Sequence, residues 1–382
     1  MNPYFSSRTA WNLEENSYAR SIRLARESGR TLLDLTVSNP TACGFHYDAE
    51  TILSPLSSPA ALTYDPDPRG MLFAREAVAE YYSTHAADID PANINLTTST
   101  SEAYGYLFRL LCNSGDEVLV PQPSYPLFDY LADLEDVRLR PYPLFYDYGW
   151  WIDFDRLERS ITSRTRAILL VHPNNPTGHA TRLPERDRLE ALCQRHNLAL
   201  IVDEVFLDYP HNGAKIESFA TGPHPCLTFI LSGMSKIAGL PQMKVGWIVS
   251  CGPQELLHQA LARLEVIADT FLSMNAPAQH ALPQWLKFSS SIQQQMLQRI
   301  ATNDSILTEN GIDTLQSDGG WSAVLRLPLV GIDAQSLLDK EDVIVHPGSF
   351  YGISEPGRIV VSLITPADTF STGIKRIAKD VT

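Results

Sequence analysis

From about residue 100 to residue 270 the chain alternates short apolar runs with amphipathic stretches. Residues 117–121 (EVLVP), 166–171 (RAILLV), 198–203 (LALIVD), 227–231 (LTFIL) and 245–250 (VGWIVS) are short, apolar and bounded by turn residues. Runs of that kind predict strands buried on both faces. Between them, residues 101–112, 184–196 and 253–266 repeat apolar positions at helical spacing. Strand and helix in alternation predict an α/β fold, a mostly parallel central sheet with helices on both faces.

After about residue 285 the pattern changes. A long polar-faced helix is expected over residues 289–310, stopped by Gly311, followed by strand-like runs at 321–327 and 359–364. This describes a smaller α+β domain, completed by the N-terminal segment. The reading divides the chain into an arm and part of the small domain (1–48), a large domain (49–285) and a C-terminal small domain (286–382). The 382 residues are 44% hydrophobic, enough to bury more than one core.

Acidic residues exceed basic ones, 44 against 30, for a net charge of −14. That balance supplies no basic face for nucleic acid. No apolar stretch reaches the roughly 20 residues of a membrane span. The first ten residues lack the basic region and apolar block of a secretory signal. Five scattered cysteines without Cys-x-x-Cys spacing suggest neither a disulfide framework nor a metal site. A reducing cytoplasm is the expected location.

Four motifs carry chemistry. Ser99, Thr100 and Ser101 follow a strand-like run and open a helix, where free backbone N–H groups and hydroxyls suit a phosphate. Read blandly, the same residues are an ordinary helix cap. Lys236 stands just past an apolar strand, among small residues, in LSGMSKIAGLPQMKVGW. Most lysines are solvated surface charges, but one held between buried strands loses solvation and becomes a nucleophile. Pro173-Asn174-Asn175-Pro176-Thr177-Gly178 forms a turn after a strand, and Asp203 ends another strand. The ends of strands are where α/β sheets place their sites.

Together these residues resemble the class I/II aminotransferases, of the aspartate-aminotransferase fold type, over about residues 30–365. The resemblance implies pyridoxal 5′-phosphate bound as a Schiff base to Lys236, with Ser235 preceding it and Lys244 in the place of the family's phosphate-clamping arginine. It implies that Asp203 pairs with the cofactor's pyridine nitrogen and that Asn175 meets its phenolic oxygen. Tyr125 takes the place of the ring-stacking aromatic, and Tyr64 that of the tyrosine reaching a neighbouring subunit's phosphate, which implies a homodimer with shared sites. Arg358, in GRIVVSLIT, matches the arginine that grips the substrate α-carboxylate, and Ser38 lies in the segment whose backbone meets it. Phe45, Trp321, Phe350 and Tyr351 fall on segments that resemble pocket-lining ones.

The chain departs from the family pattern at several positions. Phe206 stands where a tyrosine usually donates to the phenolic oxygen, which implies a raised pKa for the lysine–cofactor linkage. Lys244 keeps the charge of an arginine and loses its bidentate grip. Gly233 replaces a serine, and Ser99 stands where glycine is frequent. The implied activity is transamination between an L-amino acid, aromatic or otherwise neutral, and a 2-oxo acid, in ping-pong order. A lyase or decarboxylase on the same fold is the alternative, since the fold does not fix which bond breaks. A non-catalytic cofactor-binding sensor is a third.

Overall fold

The computed structural model describes residues 4–272, 274–328 and 332–381. In chain order its strands are β1 (Leu33–Asp34), β2 (Ile94–Thr97), β3 (Glu117–Gln122), β4 (Arg138–Tyr146), β5 (Trp150–Ile152), β6 (Thr165–Val171), β7 (Ala199–Asp203), β8 (Thr228–Gly233), β9 (Gly246–Cys251), β10 (Ser322–Arg326), β11 (Val343–Ile344), β12 (His346–Pro347) and β13 (Arg358–Ser362). Eight of them form one sheet in the order β2-β9-β8-β7-β6-β3-β4-β5. From β8 to β4 every pairing is parallel; β9 runs against both its neighbours, and β5 runs against β4.

The apolar runs at 166–171, 198–203 and 227–231 became β6, β7 and β8, the centre of this sheet. Their residues are buried almost throughout because helices cover both faces. One core lies on each side of the sheet. The larger holds Trp247 and Trp285, and the smaller packs Leu107 and Phe108 of helix Thr100–Leu111 with Leu264 of helix Gln254–Phe271.

Two elements differ from the pattern reading. The long helix runs from Ala276 to Glu309, starts 13 residues before the expected 289 and crosses the expected boundary at 285/286 without a break. Pro283 hides this start, since proline normally ends a helix interior. Here tertiary anchors hold the segment: Trp285 Nε1 donates to the Ile52 carbonyl at 2.9 Å, and Gln279 Oε1 accepts from Met71 N at 2.6 Å. β4 and the edge strand β5 also escape the pattern: β4, next to the edge, is only partly buried, and β5 is three residues long.

The remaining strands form a second layer. β10, β13 and β12 make an antiparallel three-stranded sheet, and β1 pairs in parallel with β11, which joins the N-terminal segment to the C-terminal part. Among the described residues no helix is long and apolar enough to cross a membrane.

Candidate active site

Direction in the large sheet brings the chemistry together. β6, β7 and β8 are adjacent and parallel, so their C-terminal ends share one edge of the sheet. Asn175 follows β6, Asp203 closes β7, and Lys236 follows β8. β2 runs the same way, being antiparallel to β9 as β8 is, so Ser99–Ser101 also follow a strand end at this edge. All four segments border a cavity of about 340 Å³, whose opposite wall comes from β10, β12, β13, Thr36 and Ser38.

Lys236 lies on the short helix Met234–Ile237. Its Nζ stands 4.8 Å from the Trp321 ring centre and 5.6 Å from that of Phe206. Burial pushes its pKa below the usual lysine value, and the nearby Asp203 charge pulls weakly the other way. The neutral amine is the nucleophilic form. Tyr209 Oη donates to the Lys236 carbonyl at 2.6 Å and fixes the backbone that carries the amine.

Asp203 is buried, and desolvation raises its carboxyl to about 6. Two donors oppose that shift: Tyr104 Oη at 2.7 Å on Oδ2 and the Val205 N–H at 3.1 Å on Oδ1. Asn175 Oδ1 accepts from the Ser322 hydroxyl at 3.1 Å. Its turn depends on Gly178, which has φ +68°; a Cβ there would meet Ser317 Cβ at 2.4 Å and the Gly319 carbonyl at 2.6 Å.

At the phosphate-cradle end, Ser99 caps helix Thr100–Leu111, its Oγ accepting from Glu102 N at 3.1 Å while Glu102 reaches back to Thr98 N at 2.7 Å. The Ser99 hydroxyl is therefore spent on the helix, and it is Thr100 and Ser101 that line the cavity. Gly246 lies between Thr97 and Gly233 in the sheet. A Cβ on Gly246 would stand 3.1 Å from Thr100 N, and one on Gly233 2.7 Å from the Val245 carbonyl. Gly233, where the family pattern has a serine, thus serves close backbone packing. Gly246→Ala is expected to weaken cofactor retention about tenfold by displacing the Thr100 amide, against intact folding by circular dichroism. Unchanged retention on dialysis counts against the cradle.

Of the residues singled out in the sequence, Ser38, Thr100, Ser101, Tyr125, Asn175, Asp203, Phe206, Gly233, Ser235, Lys236, Trp321, Phe350 and Tyr351 border this cavity. Five do not. Ser99 is the cap just described. Lys244, at φ +54°, is exposed, and Tyr64 is 75% exposed. Phe45 lies instead under the Arg299 guanidinium, 5.1 Å from the ring centre. Arg358 opens β13 opposite Arg326 and donates to the Pro356 carbonyl at 3.4 Å, whereas Val360 and Ser362, further along the strand, line the cavity.

Sequence reasoning missed Tyr104, Phe128, Ser322 and His346, all in the lining. Tyr104 was findable, since it lies one turn beyond Thr100 on the helix that opens the cradle. Tyr104→Phe removes a donor that favours the ionised Asp203, so the acid limb of the rate profile is expected to move up by about half a unit to one unit. A superimposable pH profile counts against that coupling.

Comparison with known proteins decides the lineage. A profile described as "Aminotransferase class I and II" matches residues 55–371.

The chain belongs to that family.

Members of the family use pyridoxal 5′-phosphate. Among class I and II relatives, the glutamate-pyruvate aminotransferase AlaA of Escherichia coli K12 is 31% identical over 265 residues, a match covering 69% of this chain and 65% of that enzyme, just under two thirds of its length. AlaA of Haemophilus influenzae is 26% identical over 95% of this chain and 93% of its own. The solved alanine aminotransferase of Pyrococcus furiosus superposes with a TM-score of 0.87 at 22% identity, covering 99% of both chains, which establishes the shared fold. The residues present fit the family cofactor. A desolvated lysine amine, a buried carboxylate and an anion-binding helix start stand around one cavity, as an aldehyde, a pyridine nitrogen and a phosphate require.

Proposed function

We propose that this protein transfers the amino group of a neutral L-amino acid to a 2-oxo acid in ping-pong order. The convergence of Lys236, Asp203 and Asn175 on one cavity carries the reading. Lys236 would hold the cofactor, Asp203 its ring nitrogen, Asn175 its phenolic oxygen, and Thr100 and Ser101 its phosphate, with Tyr125 against its ring. When bound, pyridoxal phosphate supplies an electrophilic carbon for the amine and a ring that takes up the electron pair left at Cα.

The chain's own residues do the rest. Burial lowers the Lys236 pKa and so favours the neutral amine, the form that can take the proton from the substrate Cα and hand it on as general acid. The Phe206 and Trp321 rings beside Nζ limit water there. Asp203, held by Tyr104 and the Val205 amide, keeps its negative charge aimed into the cavity. Tyr125, Phe128, Phe206, Trp321, Phe350 and Tyr351 give the wall several aromatic faces, which favour aromatic or other neutral side chains over dicarboxylates. Exposed Tyr64 is consistent with a homodimer sharing its sites.

The test is the visible spectrum of the cofactor-loaded protein mixed with single L-amino acids in the absence of an acceptor. Loss of the lysine-linked band with neutral amino acids, and its return on adding pyruvate, is the expected result. Pyruvate is the first acceptor to try because it figures in the name of the E. coli relative. Release of carbon dioxide or of an elimination product without loss of the band would replace transamination by decarboxylation or elimination.

A further inference from the structure

The cavity as described has an electrostatic gap. An amino acid and a 2-oxo acid both bring a carboxylate, and a buried carboxylate needs a charge-assisted partner. No arginine is among the described residues that line the cavity, and Arg358 stands outside it. Besides Lys236, whose amine is committed to the chemistry, His346 is the one residue among the described lining residues that can carry a positive charge.

His346 is built into the wall. It pairs with Val360 across β12 and β13, so it stands beside the stretch of β13 that lines the cavity. Its ring stacks on Phe350 at 5.2 Å with 6° between the planes, and Tyr351 abuts it edge-on at 5.8 Å. That packing fixes the plane of the imidazole. His172, His179 and His211, by contrast, spend ring nitrogens on protein partners, namely the Glu217 carbonyl, Glu185, and Ser317 with the Gly320 carbonyl.

We propose that His346, in place of an arginine, is the residue that receives the substrate's carboxylate. The proposal rests on the transaminase reading and names the recognition residue for it. The imidazole reads the anion as a hydrogen-bond donor that gains a proton on binding, unlike a permanently charged guanidinium. Burial lowers the His346 pKa, and Asp34, on β1, opposes that shift. The other titratable groups around it are Tyr351 at its edge, Tyr18, whose hydroxyl meets the neighbouring Val345 carbonyl, and Lys236 and Asp203 across the cavity. A carboxylate therefore binds with proton uptake, and its affinity rises as pH falls from 8 towards 6.

The experiment uses the cofactor-loaded protein with 3-phenylpropanoate as a competitive probe that has a carboxylate and no amine. Inhibition of the half-reaction with L-phenylalanine is followed from pH 6 to 8 in the wild type, His346→Gln, His346→Lys and Arg358→Gln. The expected result is probe binding weakened about tenfold to a hundredfold in His346→Gln, with its pH slope lost. His346→Lys should retain binding without the slope, which a merely structural role would not produce. Arg358→Gln should stay within about twofold of the wild type. Arg358→Gln losing the probe while His346→Gln keeps both affinity and slope overturns the proposal, as does equal weakening in both with the slope preserved. A wild type whose band responds to no amino acid condemns the transaminase reading instead, and direct binding of the probe in that protein still judges His346.

Discussion

Lys236→Ala is expected to lower turnover by about 10²–10⁴-fold through loss of the proton shuttle alone, and to remove the lysine-linked visible band entirely. The position of the amine combines desolvation, aromatic walls and proximity to Asp203. Truncation to alanine also leaves space beside Trp321 and Phe206. A small primary amine such as methylamine, added to the medium, should therefore restore part of the rate, with efficiency following the amine's basicity. Fold loss would show in circular dichroism and would not respond to added amine. A variant that keeps more than a tenth of the wild-type rate, or that no amine restores, removes Lys236 from the acid–base role.

Asp203→Asn is expected to cost about 10²–10³-fold in turnover, the scale of losing one preorganised electrostatic partner, with the fold retained. The amide keeps the volume, its oxygen can still accept from the Val205 N–H, and the Tyr104 hydroxyl can turn to accept from its NH2, so the negative charge is the main loss. The same substitution should raise the stability of the cofactor-free protein at pH 8. Burial lifts the Asp203 carboxyl from the ordinary carboxylate range to about 6. Between the ordinary value and about 6 the folded protein holds a proton that the unfolded chain has released, so stability falls as pH rises through that window. Above about 6 the charge is present and its burial is destabilising; below the ordinary value the group is neutral in both states. The melting-temperature gain of the variant should therefore be largest at pH 8 and shrink towards pH 4. A pH-independent gain, or a loss at pH 8, contradicts this account of the group.

Much of this arrangement is written in local pattern. Strands covered on both faces have to be apolar along their whole length, which is why β3, β6, β7, β8 and β9 stand out in the chain. Residues that follow such strands inherit their position from sheet direction, so Asn175, Asp203 and Lys236 were legible before any coordinate. Arg358 shows where pattern fails. Moving two positions along a strand keeps the face and shifts a side chain by about 6.6 Å. Periodicity alone cannot tell 358 from 360, and packing places Val360 at the cavity. His346 was invisible for another reason: it lies on a two-residue strand, too short for any period, and its significance comes from what the rest of the wall lacks. Phe45 and the start of the long helix were set by partners far away in sequence, Arg299, Met71 and Ile52.

The pairing of β1 with β11 bears on how the molecule is made. Leu33 and Asp34 leave the ribosome early, yet their partners Val343 and Ile344 follow about three hundred residues later. At about 5–20 residues per second the N-terminal strand waits roughly 15–60 s for its edge to be covered. The wall bearing Trp321, His346 and Ser362 is synthesised in the same late interval. A chain stalled before that point would possess the lysine and the carboxylate without the enclosure that gives them their altered acidities. Cofactor captured during synthesis would then meet an open platform rather than a finished pocket.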